Sequence, residues 1–303
     1  MVFLMSHKKL TSLSFILILI IFLFTNHQAL ADINEELIRL KKESSQLDQA
    51  EKYSEAIEVA LKVLEITIKL MGTDHPDTAA SLNSLAYLYE SLGDDTQAET
   101  LHQRALKIRK KVLGPEHPDT AESLNNLAWL YGNIGNFARA ESLHHRALKI
   151  REKVLGPEHP DTSESLNNLA ELYRVSGDYV RAEALYQRSI KISEKYLSPE
   201  RPGVATSVYN LGLLYAEMGD YDRAEPLIKR SIKISEKIFG PEHSKTATFL
   251  IGLAEVYVSI GDYARAELLI KRALKIREKV LGPEHPDIAE SFTELAWLYQ
   301  EIG

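Results

Sequence analysis

One histidine recurs along the sequence at a fixed spacing, and histidine is a common metal ligand and proton-transfer group near neutral pH. The spacing is 42 residues, with Arg201 once in place of histidine. The histidines are His75, His117, His159, His243 and His285. A metal site needs several ligand atoms about 2 Å from one ion. One histidine per repeated segment does not converge in this way, so we predict that these residues stabilise turns and hold no metal.

A second recurring feature could attract nucleic acid, because it places one basic residue in each segment. Its members are Arg104, Arg146, Arg188, Arg230 and Arg272, each five residues after one of Glu99, Glu141, Glu183, Glu225 and Glu267. Mixed charge of this kind is typical of a solvated or ion-paired helix face. The net charge of −7 points the same way, since phosphate neutralisation requires a surplus of Lys and Arg. We predict no nucleic-acid partner.

The sequence also lacks the motifs on which most catalytic sites are built. It contains no Gly-rich phosphate loop, no G-x-S-x-G elbow and no H-E-x-x-H pair. The absence of cysteine excludes disulfides, thiolate metal sites and a cysteine nucleophile. With 45% hydrophobic and 26% charged residues the composition is that of a folded globular chain. We therefore predict that the protein is not an enzyme and uses no cofactor.

Residues 1–31 have the features of a secretory signal peptide. Lys8 and Lys9 precede an apolar run from Leu13 to Phe24, and Ala29-Leu30-Ala31 supplies a cleavage site, in the order that such signals require. An uncleaved membrane anchor is the alternative, but the run is shorter than the roughly 20 residues of a spanning helix. We expect a mature chain from Asp32 that is exported to a periplasmic or extracellular compartment, most simply in a bacterium.

The 42-residue period predicts two helices in every segment. Leu124, Leu127, Ala128 and Tyr131 follow the spacing of one apolar helical face. A second helix carries small residues such as Ala140 and Ala147, where two helices approach closely. The first helix of a segment begins at a Pro-Asp pair, which suits the first turn of a helix. Gly-Asn pairs predict the turn between the two helices, and Gly-Pro pairs predict the turn to the next segment.

These residues resemble the tetratricopeptide repeat, in the longer form found in kinesin light chains. The pattern L-N-N-L-A-x-L-Y-x-x-x-G-[ND]-[FY]-x-x-A-E-x-L occurs from Leu124 to Leu143 and again from Leu166 to Leu185. The resemblance implies an all-α, right-handed α-solenoid of stacked antiparallel helix pairs. It also implies a protein- or peptide-binding scaffold, without naming a partner.

The resemblance covers nearly the whole mature chain, and we predict one solenoid over residues 32–303. It comprises a degenerate capping repeat over 33–71, full repeats over about 76–281 and a partial repeat over 286–303, which makes six helix pairs and one lone C-terminal helix. The polar run from Lys41 to Ser45 suits a solvated cap. The lone helix could cap the array, mediate self-association, or mark a chain cut short before an effector domain, in which case the array would regulate a larger enzyme.

The resemblance implies that the first helices line a concave groove where a peptide lies. Reading the repeats in register gives the following candidate binding residues: Asn83, Tyr87, Asn125, Asn126, Trp129, Asn167, Asn168, Glu171, Tyr209, Asn210, Glu255 and Trp297. Both tryptophans fall in one outward position, where exposed aromatic rings are typical of binding hot spots. Packing against a neighbouring turn is the alternative. The asparagines offer paired donors and acceptors to a peptide backbone, or hydrogen bonds between repeats.

The charges of this surface bear on the ligand. The central row of the groove contains no Lys or Arg, Arg174 is the only base nearby, and Glu122, Glu164 and Glu290 add negative charge. A clamp for a carboxylate is therefore disfavoured. We expect a neutral, aromatic-rich or basic protein segment as the partner.

One repeat boundary departs from the pattern. Residues 198–203 read S-P-E-R-P-G where other repeats have G-P-E-H-P-D. The additional Gly and Pro favour a hinge, with neutral sequence drift as the alternative.

Overall fold

The computed structural model describes residues 31–196, 202–281 and 285–302, and these residues form thirteen α-helices and no strand. The first helix, α1, spans residues 31–49. The others are α2 (Tyr53–Met71), α3 (Pro76–Leu92), α4 (Asp95–Val112), α5 (Pro118–Asn133), α6 (Phe137–Val154), α7 (Pro160–Val175), α8 (Tyr179–Tyr196), α9 (Pro202–Glu217), α10 (Tyr221–Phe239), α11 (Ser244–Ser259), α12 (Tyr263–Leu281) and α13 (Pro286–Ile302).

Consecutive helices pack in pairs, and the pairs stack in chain order. From α3 onward, each first helix contacts the second helix of its own pair, and each second helix contacts the first helix of the next pair. α13 packs against α12. The predicted solenoid of six helix pairs and one further helix is confirmed over the described residues.

The recurring histidine caps the first helix of each of the five repeats that contain it. Nδ1 of His117 accepts a hydrogen bond of 3.1 Å from the backbone N–H of Asp119, and Pro118 occupies the first helical position. The next threonine completes the junction, since Thr120 Oγ1 donates to the carbonyl of Gly114 at 2.8 Å. These contacts satisfy backbone groups that a helix end leaves without partners. The predicted role in turns is confirmed.

Two glycines per repeat allow the sharp changes of direction. Gly135 ends the first helix with φ of 78°, and Gly156 lies between repeats with φ of 99°. This left-handed region is disfavoured for residues with a Cβ. Asn136 follows directly and caps α6 through its side-chain oxygen.

The predicted apolar face forms the core. Leu124, Leu127 and Tyr131 are at most 6% exposed, and Ala140 and Ala147 are fully buried where α6 meets its neighbours. Each such leucine contributes roughly 1.5–3 kcal/mol by leaving water. Because the same positions are apolar in every repeat, one continuous core runs through most of the array.

Polar ladders connect successive repeats. Tyr131 donates to Glu99 and Tyr173 donates to Glu141, both at 2.6 Å, with Arg181 over the ring of Tyr173 at 4.0 Å. The mixed-charge face of the second helices is ion-paired as predicted, with Arg188 bonded to Glu152 of the preceding repeat at 2.7 Å. The glutamates five residues before the arginines accept hydrogen bonds from tyrosine hydroxyls of the following repeat.

Two sequence predictions concern residues outside this description. The signal peptide lies almost entirely in residues 1–30, and four of the six residues of the predicted hinge, 198–201, lie in residues 197–201, so both stay predictions. Within the described ranges, every helix is too short or too polar to cross a bilayer.

Candidate functional site

A cleft of about 730 Å³ lies between the first helices α1, α3, α5 and α7. Half of the predicted binding residues line it, namely Asn83, Tyr87, Asn125, Asn126, Trp129 and Asn168. Helix α1 forms another wall through Lys41, Ser44, Ser45 and Asp48. The polar run of the first repeat was expected to be a solvated cap. The run is exposed at Lys41, Lys42 and Ser45, and it also lines the cleft through Lys41, Ser44 and Ser45.

Two aromatic side chains stand in the cleft with much of their surface accessible. Tyr87 is 52% exposed and Trp129 is 43% exposed. Trp297 occupies the same position of the last repeat, outside this cleft, and is 47% exposed. Packing against a neighbouring turn would have buried these rings. Their exposure leaves flat, amphipathic surface of the kind that anchors protein ligands.

Two of the predicted asparagines have a structural role instead of an exposed one. Asn125 is 3% exposed, its amide donates to Ser165 Oγ of the next repeat at 3.0 Å, and its oxygen lies 3.0 Å from Nδ1 of His144. Asn83 forms the same bridge to Ser123 and His102. These two amides form the hydrogen bonds between repeats that the sequence left open as the alternative to peptide binding. A first helix packs both on its own partner and on the next repeat, so its buried arc is wider than one apolar stripe.

The histidine beneath Asn125 is neutral at physiological pH. Burial, with a smaller contribution from the nearby His145, lowers the pKa of His144 to about 4. Its Nδ1 faces the Asn125 oxygen, so this nitrogen carries the proton and donates. His102 has a further partner, because its Nε2 lies 2.7 Å from the carboxylate of Glu90. These chains of polar groups fix the wall of the cleft.

The next repeat keeps the asparagine, as Asn167, and replaces the histidine. Tyr186 replaces the histidine and donates its hydroxyl to Glu171 at 2.5 Å. Asn167 is only partly buried, and its Oδ1 has no hydrogen-bond partner among the described residues. Asn126 and Asn168, one position further along their helices, are also partly exposed and line the cleft.

Glu171 is bound by neighbouring side chains rather than standing free in the groove. Arg174 bonds to it at 2.5 Å and also pairs with Glu217 of the next repeat. Burial pushes the pKa of Glu171 upward, but hydrogen bonds from Arg174 and Tyr186 outweigh it and hold that pKa below its ordinary value. Arg174 therefore neutralises acidic charge along this part of the groove.

The remaining predicted residues lie further toward the C-terminus. Tyr209 stacks on Phe249 with ring centroids 4.3 Å apart, and burial followed by the charge of Glu255 raises the pKa of its phenol. Partial desolvation of its carboxyl, followed by the charge of Glu290, raises the pKa of Glu255. Asn210 is partly exposed. Tyr209 is thus a packing residue as much as a contact residue.

Sequence reasoning missed three basic residues behind the groove. Arg109, Arg151 and Arg277 are at most 5% exposed, and their guanidinium groups lie 3.2–3.6 Å from Glu122, Glu164 and Glu290, respectively. Each also bonds to a serine of the following helix, as Arg109 does to Ser123 at 3.1 Å. The expectation that Arg174 is the only base nearby is therefore wrong. A pattern was present, since each of these arginines precedes a serine by 14 residues.

The last histidine of the series meets groups from the first repeat. One ligand atom from each of Glu51, His285 and Asp287 lies within 4.8 Å of the others. Both ring nitrogens of His285 are already engaged, with Nδ1 accepting from the N–H of Asp287 and Nε2 lying 3.1 Å from the carbonyl of Gln49. No pattern in the sequence predicts this contact.

The repeated helix pairs and their shared cleft define a class of protein. The family model for the tetratricopeptide repeat matches five overlapping segments, residues 47–111, 85–144, 131–195, 163–237 and 203–279, and the chain belongs to this family. No curated protein matches the chain in sequence.

Solved structures agree with this assignment. BtubC (BKLC) from P. vanneervenii is 26% identical, with a TM-score of 0.59 over 79% of this chain and 93% of that one. The nearly identical TPR-like repeats of a Podosopora anserina protein described as a kinesin light chain are 28% identical, with a TM-score of 0.54 over 68% of this chain and 97% of theirs. A Rap protein complexed with Competence and Sporulation Factor shares the fold at 15% identity, with a TM-score of 0.61 over 88% and 75% of the two chains.

Proposed function

We propose that this protein is a non-catalytic scaffold that binds an extended segment of another protein in the cleft between its first helices. The observation that carries the proposal is the exposure of Tyr87 and Trp129 inside that cleft. A tetratricopeptide repeat array supports this role, since the family typically binds proteins and peptides. The cleft volume lies within the range of about 300–1,000 Å³ that is usual for ligand sites.

The chemistry of the lining favours a neutral, aromatic-rich or basic segment. Asn126 and Asn168 present amides to the cleft, and amides pair well with the N–H and C=O groups of an extended backbone. Asp48, Glu90 and Glu122 add negative charge, while Lys41 is the one basic residue in the described lining. A cationic side chain of the ligand would therefore find acidic partners beside the aromatic rings.

We further propose that the scaffold acts outside the cytoplasm, after removal of residues 1–31. The support is the order of Lys8, the apolar run and Ala29-Leu30-Ala31 in the sequence. Sequencing the N-terminus of the protein from its own cells tests this directly. We expect Asp32 as the first residue, and a chain that retains Lys8 would contradict cleavage.

Affinity capture from the cell envelope tests the binding proposal. We expect Trp129→Ala to reduce the captured partner at least tenfold, because truncating a hot-spot aromatic side chain removes about 2 kcal/mol or more. Leu268→Ala is the matched control, since Leu268 is 69% exposed on α12 and lies outside the cleft. If Trp129→Ala is folded and captures as much partner as the parent protein, the proposal is contradicted.

A further inference from the structure

We propose that a contact between the first and last repeats latches the array closed and holds the end of α1 in place as a wall of the cleft. The latch consists of His285 at the start of α13 and the turn of residues 49–51 after α1. It needs no bound partner, so it stands or falls separately from the proposed function.

The contact joins residues that are 236 positions apart in the chain. Nδ1 of His285 accepts from the N–H of Asp287, so a neutral ring carries its proton on Nε2. That nitrogen lies 3.1 Å from the carbonyl oxygen of Gln49 and donates to it. The Glu51 carboxylate lies 3.8 Å from the same nitrogen.

The other repeats provide an internal comparison. His75, His117 and His159 cap their helices through the same Nδ1 contact, and their side chains are 41%, 39% and 38% exposed. The side chain of His285 is 5% exposed. Capping therefore does not bury this residue type. The additional burial of His285 accompanies its contact with the first repeat.

The same end of α1 belongs to the latch and to the cleft. Asp48 lines the cleft, and the next residue, Gln49, supplies the carbonyl that His285 binds. Tyr53 lies near both regions, and burial and then the charges of Glu51 and Asp48, with smaller effects of Tyr87 and Asp287, raise its pKa. Glu51 has φ of 55°, a left-handed conformation that residues with a Cβ seldom adopt.

A contact of this kind constrains the curvature of the whole array. In a solenoid each repeat contacts its neighbours, and the overall shape is the sum of many small rotations. A bond between the first and last repeats fixes that sum. One hydrogen bond is a weak link, so the latch can open without unfolding any repeat.

Spin-label distances test the latch, and the absence of cysteine makes labelling specific. Labels are placed at the exposed positions Ser54→Cys and Ala289→Cys of the full chain. We expect one short, narrow distance population in this protein. In His285→Asn, which retains a capping side chain, we expect most molecules to move from the short distance to longer distances.

His159→Asn is the matched control, because it makes the same change to a cap that has no contact with the first repeat. We expect it to leave the distance unchanged, with equal helicity in all variants. An unchanged distance in His285→Asn would overturn the proposal. So would equal opening by the control, or a broad, long-distance population before any latch substitution. Partner capture is measured separately, so failure of the latch proposal and failure of the proposed function can be told apart.

Discussion

The side-chain amide of Asn125 donates to Ser165 Oγ across the boundary between two repeats, at 3.0 Å. Arg151 bonds to the same hydroxyl, also at 3.0 Å, and His144 contacts the oxygen of Asn125. The junction is therefore a buried polar network with four members. Leaving one of these groups without its hydrogen-bond partner lowers the stability of the fold, because water cannot replace the lost partner.

Adjacent asparagines should consequently behave differently. We expect Asn125→Ala to destabilise the array by about 1–3 kcal/mol, because it removes the acceptor of the His144 Nδ1–H and one of the two donors to Ser165 Oγ. We expect Asn126→Ala to change stability by less than about 0.5 kcal/mol, as surface substitutions usually do, while weakening partner capture. Thermal unfolding followed by circular dichroism measures the first effect. Equal destabilisation by both variants would contradict the assignment.

The neutral state of His144 predicts an acid-sensitive array. Its pKa falls from 6.5 to about 4 on folding, so between these values the unfolded chain binds more protons than the folded one. Stability is therefore lost as pH falls through this window, by at most about 3 kcal/mol. We expect His144→Gln, which can still donate to Asn125, to reduce the drop in melting temperature between pH 7 and pH 5. His117→Gln at an exposed cap is the control, and the same reduction in both would refute the mechanism.

Glu294 predicts a pH effect of the opposite sign. Burial, reinforced by Glu290 and Glu255, raises its pKa from 4.5 to about 7 despite the nearby Arg277, and its Oε2 has no hydrogen-bond partner among the described residues. The folded chain binds the additional proton here, so stability falls as pH rises from 4.5 to 7. After allowance for solvent screening, we expect Glu294→Gln to stabilise the protein by about 1–2 kcal/mol at pH 8.

The same variant should have little effect at pH 4, where the carboxyl of Glu294 is already protonated. Glu278→Gln on the exposed face of α12 serves as the control for removal of a charge. A gain in melting temperature at pH 8 that is no larger for Glu294→Gln than for Glu278→Gln would contradict this account.

Two glycines in helices should respond oppositely to alanine. A Cβ on Gly252 would approach Cε2 of Tyr209 at 2.8 Å, and that ring is held against Phe249. We expect Gly252→Ala to destabilise the protein by roughly 1–3 kcal/mol through overpacking. A Cβ on Gly203 meets nothing within 4 Å, so Gly203→Ala should gain up to about 1 kcal/mol of helix propensity. Melting temperatures that shift in the same direction would be inconsistent with this packing.

Much of the fold could be predicted from the sequence because residues that determine local structure recur at the same positions along the repeats. His117 and Pro118 mark a helix start, Gly135 marks its end, and Leu124 and Leu127 mark the buried face. Each of these roles depends on residues within one helix turn or one neighbouring helix. Repetition makes such a signal stronger, since a chance pattern would not persist in register.

The site was less predictable because its residues depend on contacts between repeats. Angular position on one helix places Asn125 outward, but the next repeat covers it. Arg151 lies on a second helix and still reaches Glu164 and Ser165 of the following repeat. The meeting of Gln49 and His285 depends on the accumulated curvature of all the repeats, which no local pattern encodes.

The central claim, that a partner segment lies beside Trp129, is tested most directly by photocrosslinking in the cells that make the protein. Trp129 is replaced by benzoylphenylalanine, and Leu268 is replaced in a matched control on the exposed face of α12. We predict one dominant crosslinked protein at position 129, joined through a neutral, aromatic-rich or basic segment, and none at position 268. A crosslink at position 268 with none at position 129 would contradict the account.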